Sequence, residues 1–336
     1  MLVFGAGALI WMFSQLGWSE LGGVMASVGS RFAIVLGLDL ATVLLDAKAL
    51  HAFIRPEARM VSFWRVVAAQ ISGRAVNAVT PFGTLGEATK LTMLVTRAPR
   101  VRVLSAIVLF NVAYLYLSAA VILIGTPITL LMIDLPHTLE VTVVVGLAVL
   151  IPLVIAAFVL VQHGALGTLT GLLYRLRLIS AARRDDWRAR LEELDRHIAE
   201  LHGSATWRGT LWLVVSRLVS WIAMVLLLHA AGVAVTPVLV IGIVSIGTLI
   251  GSIASVVPLG LGLADGGNYA LFGLLGASGA LGAFVTMLNR VRSLAVTLVG
   301  FAVMAAVHTE NRLAIARLHA KLGGHRAQAP IGQVSP

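Results

Sequence analysis

Long apolar runs alternate with short basic loops along the chain. Near-continuous apolar stretches at residues 2–16, 31–50, 104–125, 141–161, 211–231 and 293–307 approach or exceed the roughly 20 residues that a helix needs to cross a ~30 Å hydrocarbon core. They predict about six full membrane spans. The first run has no basic flank and no A-x-A cleavage site, so it is expected to be a retained helix and not a signal peptide. Two further apolar segments, 63–96 and 238–289, are interrupted. The first breaks at "TPFGTLGEATK", where Pro81 disfavours helix at Thr80 and Gly83 and Gly86 permit a tight reversal. The second breaks at "VVPLGLGLADGG", with Pro258, Gly260 and Gly262. A different period marks "RRDDWRARLEELDRHIAELH": Leu191, Leu194, Ile198 and Leu201 recur at helical spacing, and Glu192 with Arg196 makes an i,i+4 charge pair. This predicts an amphipathic cytoplasmic insert at about 163–210.

The loop charges orient the spans. Arg55, Arg59 and Arg65, then Arg97, Arg100 and Arg102, and finally Arg312, Arg317 and Lys321 mark three basic regions expected to face the cytoplasm. Loops at 126–138 and 232–237 carry no Lys or Arg and are expected outside. A single integral membrane domain over 1–310 and a flexible basic tail over 311–336 follow from this reading. Both ends of 63–96 then face the cytoplasm, yet about 34 residues are short for two full crossings of ~20 residues each. A re-entrant hairpin of two half-helices is expected. Segment 238–289 starts outside and must also cross an even number of times, either as a longer re-entrant pair or as two true spans. Span, broken hairpin, span thus occurs twice, entering from opposite sides. That is the pattern of an inverted repeat with a site between the two breaks near the midplane.

Composition agrees with a membrane solvent. Of 336 residues 59% are hydrophobic and 12% charged, and mean hydropathy is +0.95, far from the values of soluble domains. The net charge of +10 resides in loops between apolar runs, so it signals orientation and not nucleic-acid binding. No cysteine is present, which excludes disulfides, thiolate metal sites and cysteine nucleophiles. Enzyme motifs fail too. "GTLGEATK" lacks the Gly-Lys-Ser/Thr ending of a phosphate loop, "GLGLADG" has Asp265 where a dinucleotide fingerprint needs glycine, and there is no H-E-x-x-H. His51, His137 and His229 lie near span ends and are expected to be interfacial.

Intramembrane ionisable residues are the candidates for function. Glu87 and Asp265 lie within ten residues of the two breaks, with Asn77 and Asn268 near them. One of the two acids is expected to be protonated when the cavity is closed to water and to ionise when it opens; the competing reading makes both permanent ion-pair partners. Arg74, Lys90, Arg217 and Arg290 are the available cations. A guanidinium there would serve either as a counter-ion or as a phosphate contact. Asp39 and Asp46 lie two turns apart on one face of the second span. Asp46 with Lys48 reads as a marker of the cytoplasmic end, and Asp39 is deeper. Arg290 with Arg292 also reads as a pair at the outer interface. Gly247, Gly251 and Ser255 form a small-residue ridge of the kind used for close helix packing.

"NAVTPFGTLGEATKLTMLVTR" and "VVPLGLGLADGGNYALFGLLGASGALGAFVTMLNRVRS" together resemble the two signature stretches of the lysylphosphatidylglycerol synthase transmembrane-region family. That family includes the flippase domain of the bacterial multiple peptide resistance factor and hopanoid-associated membrane proteins. The resemblance spans roughly 32–307. It places the family's asparagine, proline and Gly-Glu pair on Asn77, Pro81, Gly86 and Glu87. Its Pro-x-Gly-x-Gly run, acid and downstream arginine fall on Pro258, Gly260, Gly262, Asp265 and Arg290. Two departures stand out: the second acid is Asp265 where the family usually has glutamate, and the family's basic residue after the first Gly-Glu corresponds to Lys90. No counterpart of the resistance factor's aminoacyl-transferase domain is recognised, so lysyl transfer is not expected.

The resemblance implies a lipid translocase of the bacterial inner membrane, with its C-terminus in the cytoplasm. The expected cargo is an anionic, polyisoprenoid-phosphate or hopanoid-type lipid. The alternative is a membrane-embedded enzyme or accessory subunit of envelope-lipid synthesis that holds a lipid in the same cavity, with lipid-biosynthesis enzymes as partners. Neither reading calls for a cofactor, a metal or nucleic acid. The small-residue helix faces also suit oligomerisation.

Overall fold

A computed structural model describes residues 29–54, 61–80, 85–133, 204–255 and 262–327, with isolated positions between 141 and 152; side chains are described from residue 206 onward in the 204–255 block and up to 310 in the last. The span expected at 2–16, most of that at 141–161 and of the 163–210 insert, and Pro81, Gly83, Pro258 and Gly260 lie outside the described residues. So do the side chains of the 311–336 tail.

Every regular element among the described residues is helical. The order is α1 (Ser30–Phe53), α2 (Phe63–Val79), α3 (Leu85–Leu94), α4 (Arg100–Met132), α5 (Ser204–Ala230), α6 (Pro237–Ala254), α7 (Leu263–Leu274) and α8 (Gly279–Ala327). Four stretches are long and apolar enough to cross a membrane: Arg100–Met132, Thr206–Ala230, Pro237–Ala254 and Gly279–Glu310. Only 28% to 39% of each apolar window is buried within the protein, which leaves flanks such as Ile124, Leu131 and Ile222 facing outward. An apolar exterior on helices that satisfy their own backbone is what a bilayer demands. The chain is an all-α, polytopic membrane protein.

Local chemistry sets the helix ends. Thr80, the residue before Pro81, is extended at φ −111° and ψ 139°, the conformation that the proline ring imposes on its predecessor. This stops α2 at Val79. Before α7, Gly262 has φ 80°, a left-handed conformation that favours glycine. The start of α6 is capped by Thr236, whose Oγ1 accepts from the Leu239 N–H at 3.2 Å, with Pro237 at a position where its missing N–H costs nothing.

The first interrupted segment resolves into α2, of 17 residues, and α3, of 10 residues. The second resolves into α6, of 18 residues, and α7, of 12 residues. At about 1.5 Å rise per residue, α6 reaches about 27 Å and α7 about 18 Å. A difference from the sequence reading appears here. The second broken pair ends at Leu274, and α8 starts at Gly279, well before 293. Asn289, Arg290 and Arg292 lowered the local hydropathy and imitated a boundary, whereas they are interior helical residues facing a polar cavity.

Packing follows a paired scheme: α1 lies along α5, α2 along α8, and α6 along α4, while α3 folds back on α2 and α7 sits against α6 and α8. One apolar core joins α1, α5, α6, α7 and α8 through Phe32, Leu227, Ile243, Phe272 and Leu288. A second joins α1 to α5 through Leu50, Phe53, Val66, Leu94, Phe110 and Leu213. The α2–α8 contact is close enough that a Cβ on Gly300 would lie 2.6 Å from the Ile71 carbonyl oxygen, and Ser72 Oγ donates to the Gly300 carbonyl across it at 3.3 Å.

Candidate functional site

All eight described helices contribute to one polar cavity of about 750 Å³. This is within the ~300–1,000 Å³ of typical ligand sites. Polar residues from the two breaks meet in it: Asn77, Thr80, Glu87 and Lys90 from the first, and Asn268 from the second. Arg74, Arg217, Arg290 and Asp39 line it as well. Asp265 does not face the cavity directly, but binds Arg290, which does, at 2.5 Å.

The short helices are built alike at their first turns. In α3, the Gly86 N–H donates to Asn77 Oδ1 at 2.6 Å, and Asn77 Nδ2 donates to Glu87 Oε1 at 3.5 Å. One asparagine therefore ties the end of α2 to the start of α3. Glu87 lies in that first turn and is ion-paired to Lys90 at 2.9 Å. In α7, Asp265 also lies in the first turn and its Oδ2 accepts from the Gly262 N–H at 2.9 Å. A carboxylate is favoured there because the first N–H groups of a helix lack partners and carry partial positive charge. Each acid thus sits in an ion pair, Glu87 with Lys90 and Asp265 with Arg290. Asn268, one turn on, donates to Thr286 Oγ1 of α8 at 2.9 Å.

Lys90 is 4% exposed, and its ammonium lies 5.3 Å from the centre of the Phe110 ring. The fit around it leaves no room for added atoms: a Cβ on Gly73 would lie 2.7 Å from Lys90 Cε, and one on Gly86 would overlap the Gly73 carbonyl and Asn77. Here the glycines serve close approach.

Asp46 corrects the sequence reading. It was expected to mark an interface, but is 2% exposed and joins three helices. Arg74 of α2 donates to its Oδ2, and Arg217 Nη2 of α5 lies 3.3 Å from both carboxylate oxygens. Arg74 also donates to Thr42 Oγ1 at 3.3 Å, and Arg217 to the Tyr114 hydroxyl at 3.3 Å with its guanidinium 4.7 Å from that ring. Its spacing from Asp39 on one helical face was the usable signal; proximity to Lys48 misled. Lys48 in fact lies over Trp212, 4.5 Å from the ring centre. Nor do Arg290 and Arg292 anchor an outer interface: Arg292 Nε lies 2.8 Å from Asp39 Oδ2. At the small-residue ridge, a Cβ on Gly251 would meet nothing within 4 Å, and Gly251 and Ser255 line the cavity. These two positions widen the cavity instead of bringing helices together.

The cavity lining carries Arg74, Lys90, Arg217, Arg290 and Arg292 against Asp39, Asp46 and Glu87, five positive groups against three negative. Counting Asp265 leaves a surplus of one. Three donors, Arg217 Nε, Arg290 Nε and Arg292 Nη1, are buried without a hydrogen-bond partner among the described residues, as are the acceptors Gln70 Oε1 and Glu87 Oε2 of the same lining. A buried, unpaired donor costs roughly 1–3 kcal/mol, more when charged. An anion with several acceptor oxygens would satisfy the donors, and the guanidinium fork fits phosphate. Closure is incomplete, since the Arg74 side chain keeps 31% exposure. Among the described residues no group of three or more His, Asp or Glu is placed to hold a metal.

No curated protein and no solved structure matches the chain. The family described as the lysylphosphatidylglycerol synthase TM region matches residues 1–300 of the 336. With most of its length matched and its apolar helices surrounding a polar cavity, the chain belongs to the lysylphosphatidylglycerol synthase transmembrane-region family of multi-pass membrane proteins.

Proposed function

We propose that the protein is a translocase of the inner membrane that moves a lipid with an anionic, phosphate-bearing head group between leaflets. The carrying observation is the cation surplus of the cavity, with three arginine donors buried and unpaired. Ionised side chains inside a membrane protein are costly and are usually kept for a ligand path or for one another. Here mutual pairing leaves donors over. The head group would occupy the cavity.

The exchange of packing partners supports an inverted repeat of α1–α4 and α5–α8. If α1 corresponds to α5, α2 to α6, α3 to α7 and α4 to α8, the α2–α8 contact maps onto the α6–α4 contact, and α1–α5 maps onto itself. Each half then offers a longer and a shorter helix around a Pro- and Gly-containing break, with an acid in the first turn of the shorter one. Two such breaks facing one cavity give a site that either half could close by rocking against the other. The basic segments at 97–102 and in the tail support a cytoplasmic location for those ends.

The test is reconstitution into vesicles with head-group-labelled phosphatidylglycerol, a polyisoprenyl phosphate or phosphatidylethanolamine, followed by quenching of the outer leaflet. Faster movement of the two anionic lipids than of the zwitterionic one is expected. Movement of none, with stable lipid binding, would replace the translocase by a protein that holds lipid for a partner enzyme.

A further inference from the structure

A second, smaller cavity of about 200 Å³ adjoins the first and shares Tyr114, Arg217 and Arg292 with it. Its walls are two helix faces of the same spacing. On α4 they are Tyr114, Leu117, Ser118 and Val121; on α5 they are Arg217, Ser220, Trp221 and Met224, an i, i+3, i+4, i+7 set in each case. Faces of that kind normally interlock. These two stand apart, with Ile243 and Thr248 of α6 behind them.

The slot has a charged end and a long wall. Arg217 and Arg292 belong to both cavities, and each has a buried donor without a partner among the described residues. Away from them the lining is Leu117, Val121, Trp221, Met224, Ile243 and Val244, interspersed with Tyr114, Ser118, Ser220 and Thr248. Counting ~1.5 Å per residue, Tyr114 to Val121 lie about 21–32 Å along α4 from Arg100, and Arg217 to Met224 about 20–30 Å along α5 from Ser204. Ile243 and Thr248 lie about 9–17 Å from Pro237. The slot therefore lies near mid-height of α4, α5 and α6, which are 33, 27 and 18 residues long. Its volume is below the ~300 Å³ of the smallest usual ligand sites, too little for a whole lipid and suited to one stretch of chain.

We infer that this slot is a lipid-chain subsite: it takes an acyl or isoprenoid chain of a lipid whose phosphate lies between Arg217 and Arg292, where the slot meets the head-group cavity. The inference rests on the translocase reading for its role, but the binding itself can be tested apart from transport. The shared arginines select the anion, and the apolar wall selects a chain attached to it, so inorganic phosphate alone would gain only part of the contact.

The test is photo-crosslinking of the full chain in nanodiscs. One probe is phosphatidylglycerol carrying a diazirine on its acyl chain; the other is diacylglycerol with the same chain and no phosphate. Adducts are mapped by peptide mass spectrometry. Phosphatidylglycerol is expected to label positions 114–121 and 217–224 at least about fivefold more than diacylglycerol does, with no displacement by excess inorganic phosphate. Ser220→Trp, which fills the slot, should abolish that labelling at an unchanged melting temperature; Ser118→Trp fills it from the opposite wall if the first variant misfolds. Equal labelling by the two probes, adducts confined to outward-facing Ile128 and Leu131, or labelling unaffected by both tryptophans would overturn the subsite. Slot labelling without lipid movement in vesicles would keep the subsite and overturn the translocase, and lipid movement without slot labelling would do the reverse.

Discussion

Arg292 Nε lies 2.8 Å from Asp39 Oδ2, joining α8 to α1 through an ion pair whose side chains are 20% and 8% exposed. These helices share few other contacts, so the pair is a main polar link between the N-terminal and C-terminal parts. Removing one partner of a buried pair leaves the other uncompensated, typically at a cost of 3–5 kcal/mol. Asp39→Asn and Arg292→Gln should each lower the melting temperature of the purified protein markedly. The double variant should lose less than the sum of the two. Strict additivity in that cycle would show that the pair is not coupled.

Gly86 tests the crossing of α2 and α3. A methyl group there would overlap the Gly73 carbonyl and Asn77, and backbone cannot give way as a flexible side chain can. Gly86→Ala is expected to cost about 1–3 kcal/mol and to disturb the Gly86 N–H to Asn77 bond. Gly251→Ala, where a Cβ meets nothing within 4 Å, should leave the melting temperature unchanged. If both alanines melt alike, α3 does not fold back on α2 in this way.

Glu87→Gln and Asp265→Asn keep shape while removing charge opposite Lys90 and Arg290. Charge-assisted hydrogen bonds contribute about 1.5–3 kcal/mol, and the exposure of Asp265, at 35%, brings its share to about 1 kcal/mol or less after screening. Both variants should therefore fold. Lipid movement in vesicles is expected to fall at least tenfold in each, while lipid binding persists. Transport at the parental rate would show that these ion pairs only hold the helix ends.

Thr96 and Ala234 are exposed positions on loops expected at opposite faces. The chain has no cysteine of its own, so Thr96→Cys and Ala234→Cys report cleanly. An impermeant thiol reagent should label Ala234→Cys in intact cells and Thr96→Cys only after permeabilisation. Labelling of Thr96→Cys in intact cells would reverse the orientation.

The sequence by itself determined the solvent, the helices and the two breaks. Apolar run length is set by membrane thickness, and Pro81 and Gly262 act on backbone within a residue or two, so Thr80 and the start of α7 follow from local sterics. Asn77, Glu87 and Lys90 were legible for the same reason: they crowd one break. Tertiary structure alone decided what the charges meet. Hydropathy registers Asp46, Arg290 and Arg292 only as interruptions of an apolar run, and it assigned them to interfaces. Their partners are distant in sequence, Asp46 with Arg217 and Asp39 with Arg292, and an ion pair formed across a bundle leaves no periodic trace in either helix. The same holds for the slot, because the faces of α4 and α5 have ordinary helical spacing and only the distance kept between them makes a cavity.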